Sequence, residues 1–377
     1  MLMTVDTFPP PVWVDNQDSF NSMLADLSVQ SRIAVDTESN SLHAYRERVC
    51  LIQFSTPQKD YVLDPLALSG LESLAPLFSN PAIEKIFHAA EYDLICLHRD
   101  FGFEFSGLFD TMQAARILGY QYVGLDKLLM EKFCVKMDKR HQKANWGARP
   151  LSKAQIDYAR QDTHYLFALR DILEQELHQK GRWEIAQDDF VLACSVEAPK
   201  EKQNGSSWKR FSSRKDVSNR ELTVLRELCY CRDAIAERMD RPPFKVLTDA
   251  MLLDVARNVP EKDVDLAGLG LSSRQIQLWG RDILAAAKRG GEVELVKREQ
   301  AKRPSDAMVR RVDKLKTWRK KMAEEIMVES DIILPKTFVH ALAENPPKTF
   351  DELQSVMTQS PYRFSKYGDQ IYRLIGG

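Results

Sequence analysis

The chain has no apolar run near the ~20 residues that a membrane-spanning helix needs, and none of its six cysteines stands in a CxxC pair. The first absence argues against a helical integral-membrane protein. The second argues against a structural zinc site or a disulfide framework and suits a reducing cytoplasm, with the thiols read as small buried hydrophobes. The N-terminal stretch, with Pro9, Pro10 and Pro11, also lacks the basic and apolar regions of a secretory signal. We therefore expect a cytoplasmic protein. What is present is ordinary globular composition, 44% hydrophobic and 28% charged over 377 residues, enough for two or three domains.

Net charge is nearly missing as well, at −1, but the two halves differ sharply. Residues 1–200 sum to −8 and residues 201–377 to +7. The positive charge is clustered in Lys200–Lys215 and in Lys302–Lys321, where nine basic residues face only Asp306 and Asp313. Such a split points to nucleic acid or an anionic surface. Solvated helix faces give similar runs, so the charge alone does not decide.

The first ~190 residues read as α/β. Arg32-Ile-Ala-Val-Asp36, Val49-Cys-Leu-Ile-Gln-Phe-Ser55 and Lys59-Asp-Tyr-Val-Leu63 have strand composition around a Thr56-Pro57 turn, and Glu84–His88 reads as a fourth strand. Helical spacing follows over Tyr92–Phe101, stopped by Gly102. Ser152 with Gln155 forms a capping box, and Leu151 with Ile156 a hydrophobic staple, so the spacing predicts one helix from there to about His178. The polar stretch after Val196 has linker composition. Beyond it a repeat appears: Leu228–Met239 aligns with Leu315–Ile326 at an offset of 87, as do Leu247 with Leu334 and Pro260 with Pro347. The expected domains are 1–195, a linker at 196–212, and two small helical bundles at 213–292 and 305–377.

Candidate chemistry lies in the first domain. Asp36 and Glu38 share one face of a strand end, since strand side chains alternate. Tyr158 and Asp162 stack at i, i+4 on a helix, bordering its core stripe. Asp93 stands where a strand gives way to a helix, a position an acid favours anyway. Each has an alternative as a turn former, a salt-bridge partner or an exposed charge. Together they supply four carboxylates and a phenol, a donor set suited to a pair of hard divalent cations able to stabilise both the attacking and leaving oxygens of a phosphodiester.

The order Asp36-x-Glu38, Asp93, Tyr158-x-x-x-Asp162 resembles the tyrosine branch of the DEDD exonucleases. The words Val35-Asp-Thr-Glu38, Val49-Cys-Leu-Ile-Gln53, Phe109-Asp-Thr111, Trp146-Gly-Ala-Arg-Pro-Leu151 and Tyr158-Ala-Arg-Gln-Asp-Thr-His-Tyr-Leu166 look like the ribonuclease D family. The two helical repeats resemble the HRDC nucleic-acid-binding module. The resemblance implies a ribonuclease-H-like α/β catalytic domain with a mixed sheet, followed by two small all-α bundles. It implies a 3′→5′ exoribonuclease working with two divalent cations, Mg2+ or Mn2+, on RNA with a free 3′ end such as precursor tRNA, releasing 5′-mononucleotides. Asp36 would bridge both ions, Glu38 and Asp162 would hold the ion that activates water, and Asp93 would serve the second. Tyr158, whose ordinary pKa near 10 makes it a poor base, would orient the water. Thr37 would lie against the terminal sugar and Arg149 would hold a phosphate, or else a structural ion pair. His88 and His164 are read as packing or capping residues. We expect a monomer with no membrane partner. A DNA exonuclease and a catalytically silent RNA-binding scaffold stay open, because no residue declares a 2′-OH contact.

Overall fold

The computed structural model describes residues 9–195, 205–298 and 303–376. They form two compact units: residues 9–39, 49–195 and 303–376 make the first, and residues 40–48 with 205–298 the second.

The first unit is built on a six-stranded mixed sheet in the order β1-β4-β3-β2-β5-β6, with β1 at Val12–Val14, β2 at Arg32–Ser39, β3 at Val49–Ser55, β4 at Asp60–Leu63, β5 at Glu84–Phe87 and β6 at Leu108–Asp110. β2 runs antiparallel to β3 and parallel to β5. β3 is buried along all seven residues, which is why its sequence is almost continuously apolar. β2 buries Ile33, Ala34 and Val35 and then emerges, half-buried, from Asp36 onward. The edge strands β1 and β6 are three residues each, too short to show a period.

Helices α1 (Gln17–Ser28), α2 (Ala75–Ser79), α3 (Glu91–Phe101), α4 (Thr111–Leu118), α5 (Leu125–Phe133), α6 (Lys153–His164), α7 (Leu166–Gln179) and α8 (Trp183–Ala193) complete the α/β part. The capping box at Ser152 and Gln155 forms, and Gly102 closes α3 with φ +70°. The single helix expected over 153–178 is instead two. It breaks at Tyr165, where φ is −91° and ψ −4°. The end of α6 is pinned to the sheet: Thr163 Oγ1 lies 2.7 Å from Ser55 Oγ, and His164 Nδ1 lies 2.8 Å from Asp60 Oδ2. The Tyr165 ring stacks on Phe133. From this anchor α7 sets off so that Arg170 pairs with Glu84 at the start of β5.

The second unit packs helices Asn219–Arg238, Pro243–Val246, Asp249–Asn258, Asp263–Gly268 and Ser273–Glu292 around a core that includes Leu225, Leu252 and Ile283. Residues 196–204 of the expected linker lie outside the described residues. From Gly205 the chain already belongs to this unit: Ser206–Phe211 makes a 3-10 turn and Phe211 enters the core. The linker therefore cannot extend to 212 as expected, because an apolar side chain inside that stretch is buried.

The second repeat forms helices Asp306–Ile326, Ser330–Ile333, Lys336–Glu344, Phe350–Val356 and Pro361–Ile375. The duplication is visible in its contacts. Arg232 Nη1 donates to the Leu247 carbonyl at 3.2 Å, and Arg319 Nη1 to the Leu334 carbonyl at 2.8 Å, both pairs 87 residues apart. At one place the copies diverge. Ser272 caps its helix locally with Gln275, whereas Ser360 makes no side-chain cap and Asp188 of α8 accepts from the Tyr362 and Arg363 backbone N–H groups instead. Arg363, fully buried, also pairs with Asp189 at 2.7 Å. Ile332 joins the core beneath the sheet, so this repeat and the α/β part share one unit.

Candidate active site

Three elements bring five side chains together on one face of the sheet. Asp36 and Glu38 project from β2, in register with Gln53 and Leu51 of β3, and a bulge between Glu38 and Ser39 ends the regular pairing. Asp93 sits in the first turn of α3 and is 8% exposed. Tyr158 and Asp162 lie one turn apart on α6, which packs over β2, β3 and β4. The Tyr158 ring stacks on Trp146, itself 1% exposed, with centroids 5.9 Å apart, and meets His141 edge-on at 6.0 Å. Among the described residues the Tyr158 hydroxyl has no hydrogen-bond partner. Tyr158 is thus more deeply set than the helical wheel suggests, because Trp146 comes from a loop the wheel cannot see.

The acids act on one another. Burial first, and then the charges of Asp93, Asp162 and Glu38, hold the Asp36 carboxyl well above the ordinary range. Glu38 is pushed up to about 9 by burial and by Asp162 and Asp93. Asp162 rises to about 7 through burial and the Asp93 charge. Asp93 also rises to about 7, through burial, although the Thr37 hydroxyl donates to it and opposes the shift. Burial and the Asp162, Glu38 and Asp36 charges raise Tyr158, so the phenol keeps its proton at any physiological pH. A cluster of half-buried acids whose charged neighbours are one another is the electrostatic signature of a site for cations.

The donor set fits divalent ions. Among the described residues no three His, Cys, Asp or Glu side chains close around a single point as a ligand shell. Paired hard cations do not require that, since each takes one or two carboxylates and completes its sphere with water and phosphate oxygens.

Asp110, which the sequence reading left without a role, builds the turn that presents Asp93. Its carboxylate accepts from the backbone N–H groups of Ala89, Ala90, Met112 and Gln113, at 3.0, 2.9, 2.8 and 3.2 Å. That holds Ala89 at φ +62°, a conformation alanine rarely adopts, and caps α4 at the same time. An Asp followed by Thr at a helix start was the available signal. Thr111 Oγ1 donates to the Phe87 carbonyl and pairs with His88 Nδ1 at 2.9 Å, so His88 is a packing and capping residue, as is His164 against Asp60.

Arg149 is not placed for a phosphate. Its Nε and Nη2 grip Asp64 at 2.6 and 2.7 Å, Nη2 also reaches the Cys50 carbonyl, and Nη1 donates to the carbonyls of Trp146 and Ala148. All five N–H groups are engaged, and Asp64 is almost fully buried. Arg149 is a clamp that fixes the Trp146 loop to β3 and β4, the structural alternative considered for it. Thr37 stands between Asp36 and Glu38 with its hydroxyl committed to Asp93.

This fold and this cluster define a 3′→5′ exonuclease domain joined to helical modules. Residues 11–178 match the 3′-5′ exonuclease family model, and residues 221–286 and 309–375 each match the HRDC domain. A ribonuclease D from Gluconacetobacter diazotrophicus is 30% identical over 98% of this chain and 94% of its own length. The chain belongs to the ribonuclease D family. The exosome complex exonuclease RRP6 of Saccharomyces cerevisiae is 35% identical over 69% of this chain, but that match spans 37% of the yeast protein. The match likewise spans 30% to 41% of the length of the worm and plant relatives. The crystal structure of Escherichia coli RNase D superposes with a TM-score of 0.67 over 97% of this chain and 99% of that one, at 22% identity, and shares the ribonuclease-H-like fold.

Proposed function

We propose that this protein is a 3′→5′ exoribonuclease that releases 5′-mononucleotides from RNA with a free 3′ end, precursor tRNA among its substrates. The observation that carries this reading is the convergence of Asp36, Glu38, Asp93 and Asp162, each raised by burial and by its neighbours' charge, beside a Tyr158 hydroxyl with no partner among the described residues. These four carboxylates would hold two divalent cations, Mg2+ or Mn2+, with Asp36 serving both. Bound there, such ions would offset the carboxylate repulsion and would supply charge stabilisation to the attacking and leaving oxygens of the phosphodiester.

The chain's own residues do the rest. Tyr158 remains protonated and so cannot act as a base. It orients the attacking water by hydrogen bonding, with its ring fixed by Trp146. Thr37 keeps Asp93 in place with its hydroxyl and sets its backbone against the terminal sugar. The protein works in the cytoplasm as a monomer. No helix among the described residues is long and apolar enough to cross a membrane.

A 5′-labelled RNA and its matched DNA, incubated with Mg2+ or Mn2+ and with chelator, test the proposal. Metal-dependent shortening of RNA from the 3′ end, faster than of DNA, is expected. Chelator-resistant cleavage or a preference for DNA overturns it, as does full activity in any two of the Asp36, Glu38, Asp93 and Asp162 alanine variants.

A further inference from the structure

Gln53 is fully buried in the middle of β3, and neither its amide oxygen nor its amide nitrogen finds a hydrogen-bond partner among the described residues. A buried amide left this way is costly, and native folds rarely keep one without a use for it. The strand register locates it. Gln53 stands directly opposite Asp36 on β2 and Val62 on β4. Side chains so paired leave the sheet on the same face, with Cβ atoms about 5 Å apart.

That face is the one α6 covers. Two residues before Gln53, Leu51 packs in a cluster with Tyr158 and Ala159, and two residues after it, Ser55 hydrogen-bonds Thr163. Gln53 therefore lies beneath the turn of α6 that carries Asp162, beside Asp36. Its neighbours here, Leu51, Val62 and Ala159, are apolar and buried. An apolar side chain would fill the position with no desolvation penalty.

We propose that Gln53 is a positioning residue for Asp36: its amide N–H, left without a partner among the described residues, is the donor that the Asp36 carboxylate turns to when it holds cations, and it fixes the carboxylate's orientation there. The inference rests on the reading of Asp36 as an ion ligand. A carboxylate offers about four lone-pair directions, so one that serves two ions still has an acceptor site to spare. Partners of this kind orient ligands, and losing one typically lowers metal affinity by 10–100-fold.

Gln53→Met keeps the shape and removes the donor. Mn2+ affinity by calorimetry, apo melting temperature, and kcat and KM for RNA are measured in the variant and the parent chain, with Gln53→Leu as a second variant should methionine not pack. Mn2+ affinity is expected to fall 10–100-fold, while the apo chain melts at the same or a higher temperature. KM for RNA stays near the parent value, and saturating Mn2+ restores most of kcat. A lower melting temperature with unchanged Mn2+ affinity makes Gln53 a packing residue and overturns the proposal. A parent chain that binds no Mn2+, or an Asp162→Ala chain that binds it equally well, overturns the ion reading itself. Parent binding matched by Gln53→Met overturns only the role of Gln53.

Discussion

At the scale of single residues, burial and mutual charge shift the acids and the phenol of the site alike toward their protonated forms. Tyr158 is the simplest case. Replacing it by Phe keeps the stacking on Trp146 and removes only the hydroxyl. Turnover should fall on the order of 100-fold, the cost of a misplaced reacting group, while RNA binding measured in Ca2+ stays near normal. Unchanged turnover would make Tyr158 a packing residue. The carboxylates give a second prediction. Glu38, Asp93 and Asp162 are raised to about 9, 7 and 7 in the folded chain. The folded state therefore holds more protons than the unfolded state above the ordinary carboxylate range, and stability is lost as pH rises through these values. The metal-free chain should melt progressively lower from about pH 5 to pH 9, and excess Mn2+ should flatten that decline. A melting temperature that climbs over this window without metal would show that the acids are paired with cationic side chains instead.

At the scale of elements, the acids are delivered by strand ends and helix starts that other residues hold in place. β2 supplies its pair by simple alternation and stops at a bulge. α3 supplies Asp93 only because Asp110 ties down the two residues before it. Asp110→Ala removes an ionised acceptor from four backbone N–H groups and should cost roughly 3 kcal/mol in urea unfolding, more than an ordinary cap. Mn2+ affinity should fall with it, since the Asp93 turn loosens. Lost stability with intact Mn2+ affinity would mean that Asp110 only caps α4. α6 is placed by Ser55 and Asp60 from the sheet side, which also explains why the helix ends at His164 and does not run on.

At the scale of the molecule, the two helical repeats have the same ancestry in sequence but different situations. The second gives up its own cap to Asp188 and buries Arg363 against Asp188 and Asp189. Breaking such a buried pair costs about 3–5 kcal/mol. Arg363→Met should therefore lower the denaturation midpoint of the exonuclease domain and the second repeat together. A variant with unchanged stability would show that they are independent. The basic helix Asp306–Ile326 keeps Lys314, Lys316 and Lys321 exposed. If they meet RNA, changing all three to Gln should lower the slope of log affinity against log salt by about 2, near 0.7 per phosphate on a single strand. An unchanged slope would leave them as a solvated face.

The sequence by itself determined what depends on neighbours along the chain. Alternation put Asp36 and Glu38 on one face, i, i+4 spacing put Tyr158 over Asp162, a capping box started α6, and an offset of 87 revealed the duplication. These are consequences of backbone periodicity, which a sequence displays directly. The tertiary structure alone decided what depends on distant partners. Arg149 became a clamp because Asp64, 85 residues away, and the Cys50 carbonyl take its donors. The 153–178 helix broke at Tyr165 because Asp60 and Ser55 hold α6 from strands β4 and β3. Phe211 entered a core that no local pattern marks, and Asp188 accepts from the helix-start N–H groups that Ser360 leaves uncapped. In each case the competing interaction comes from a segment far along the chain, so its strength is set by burial and approach in the folded molecule, and no local pattern carries that information.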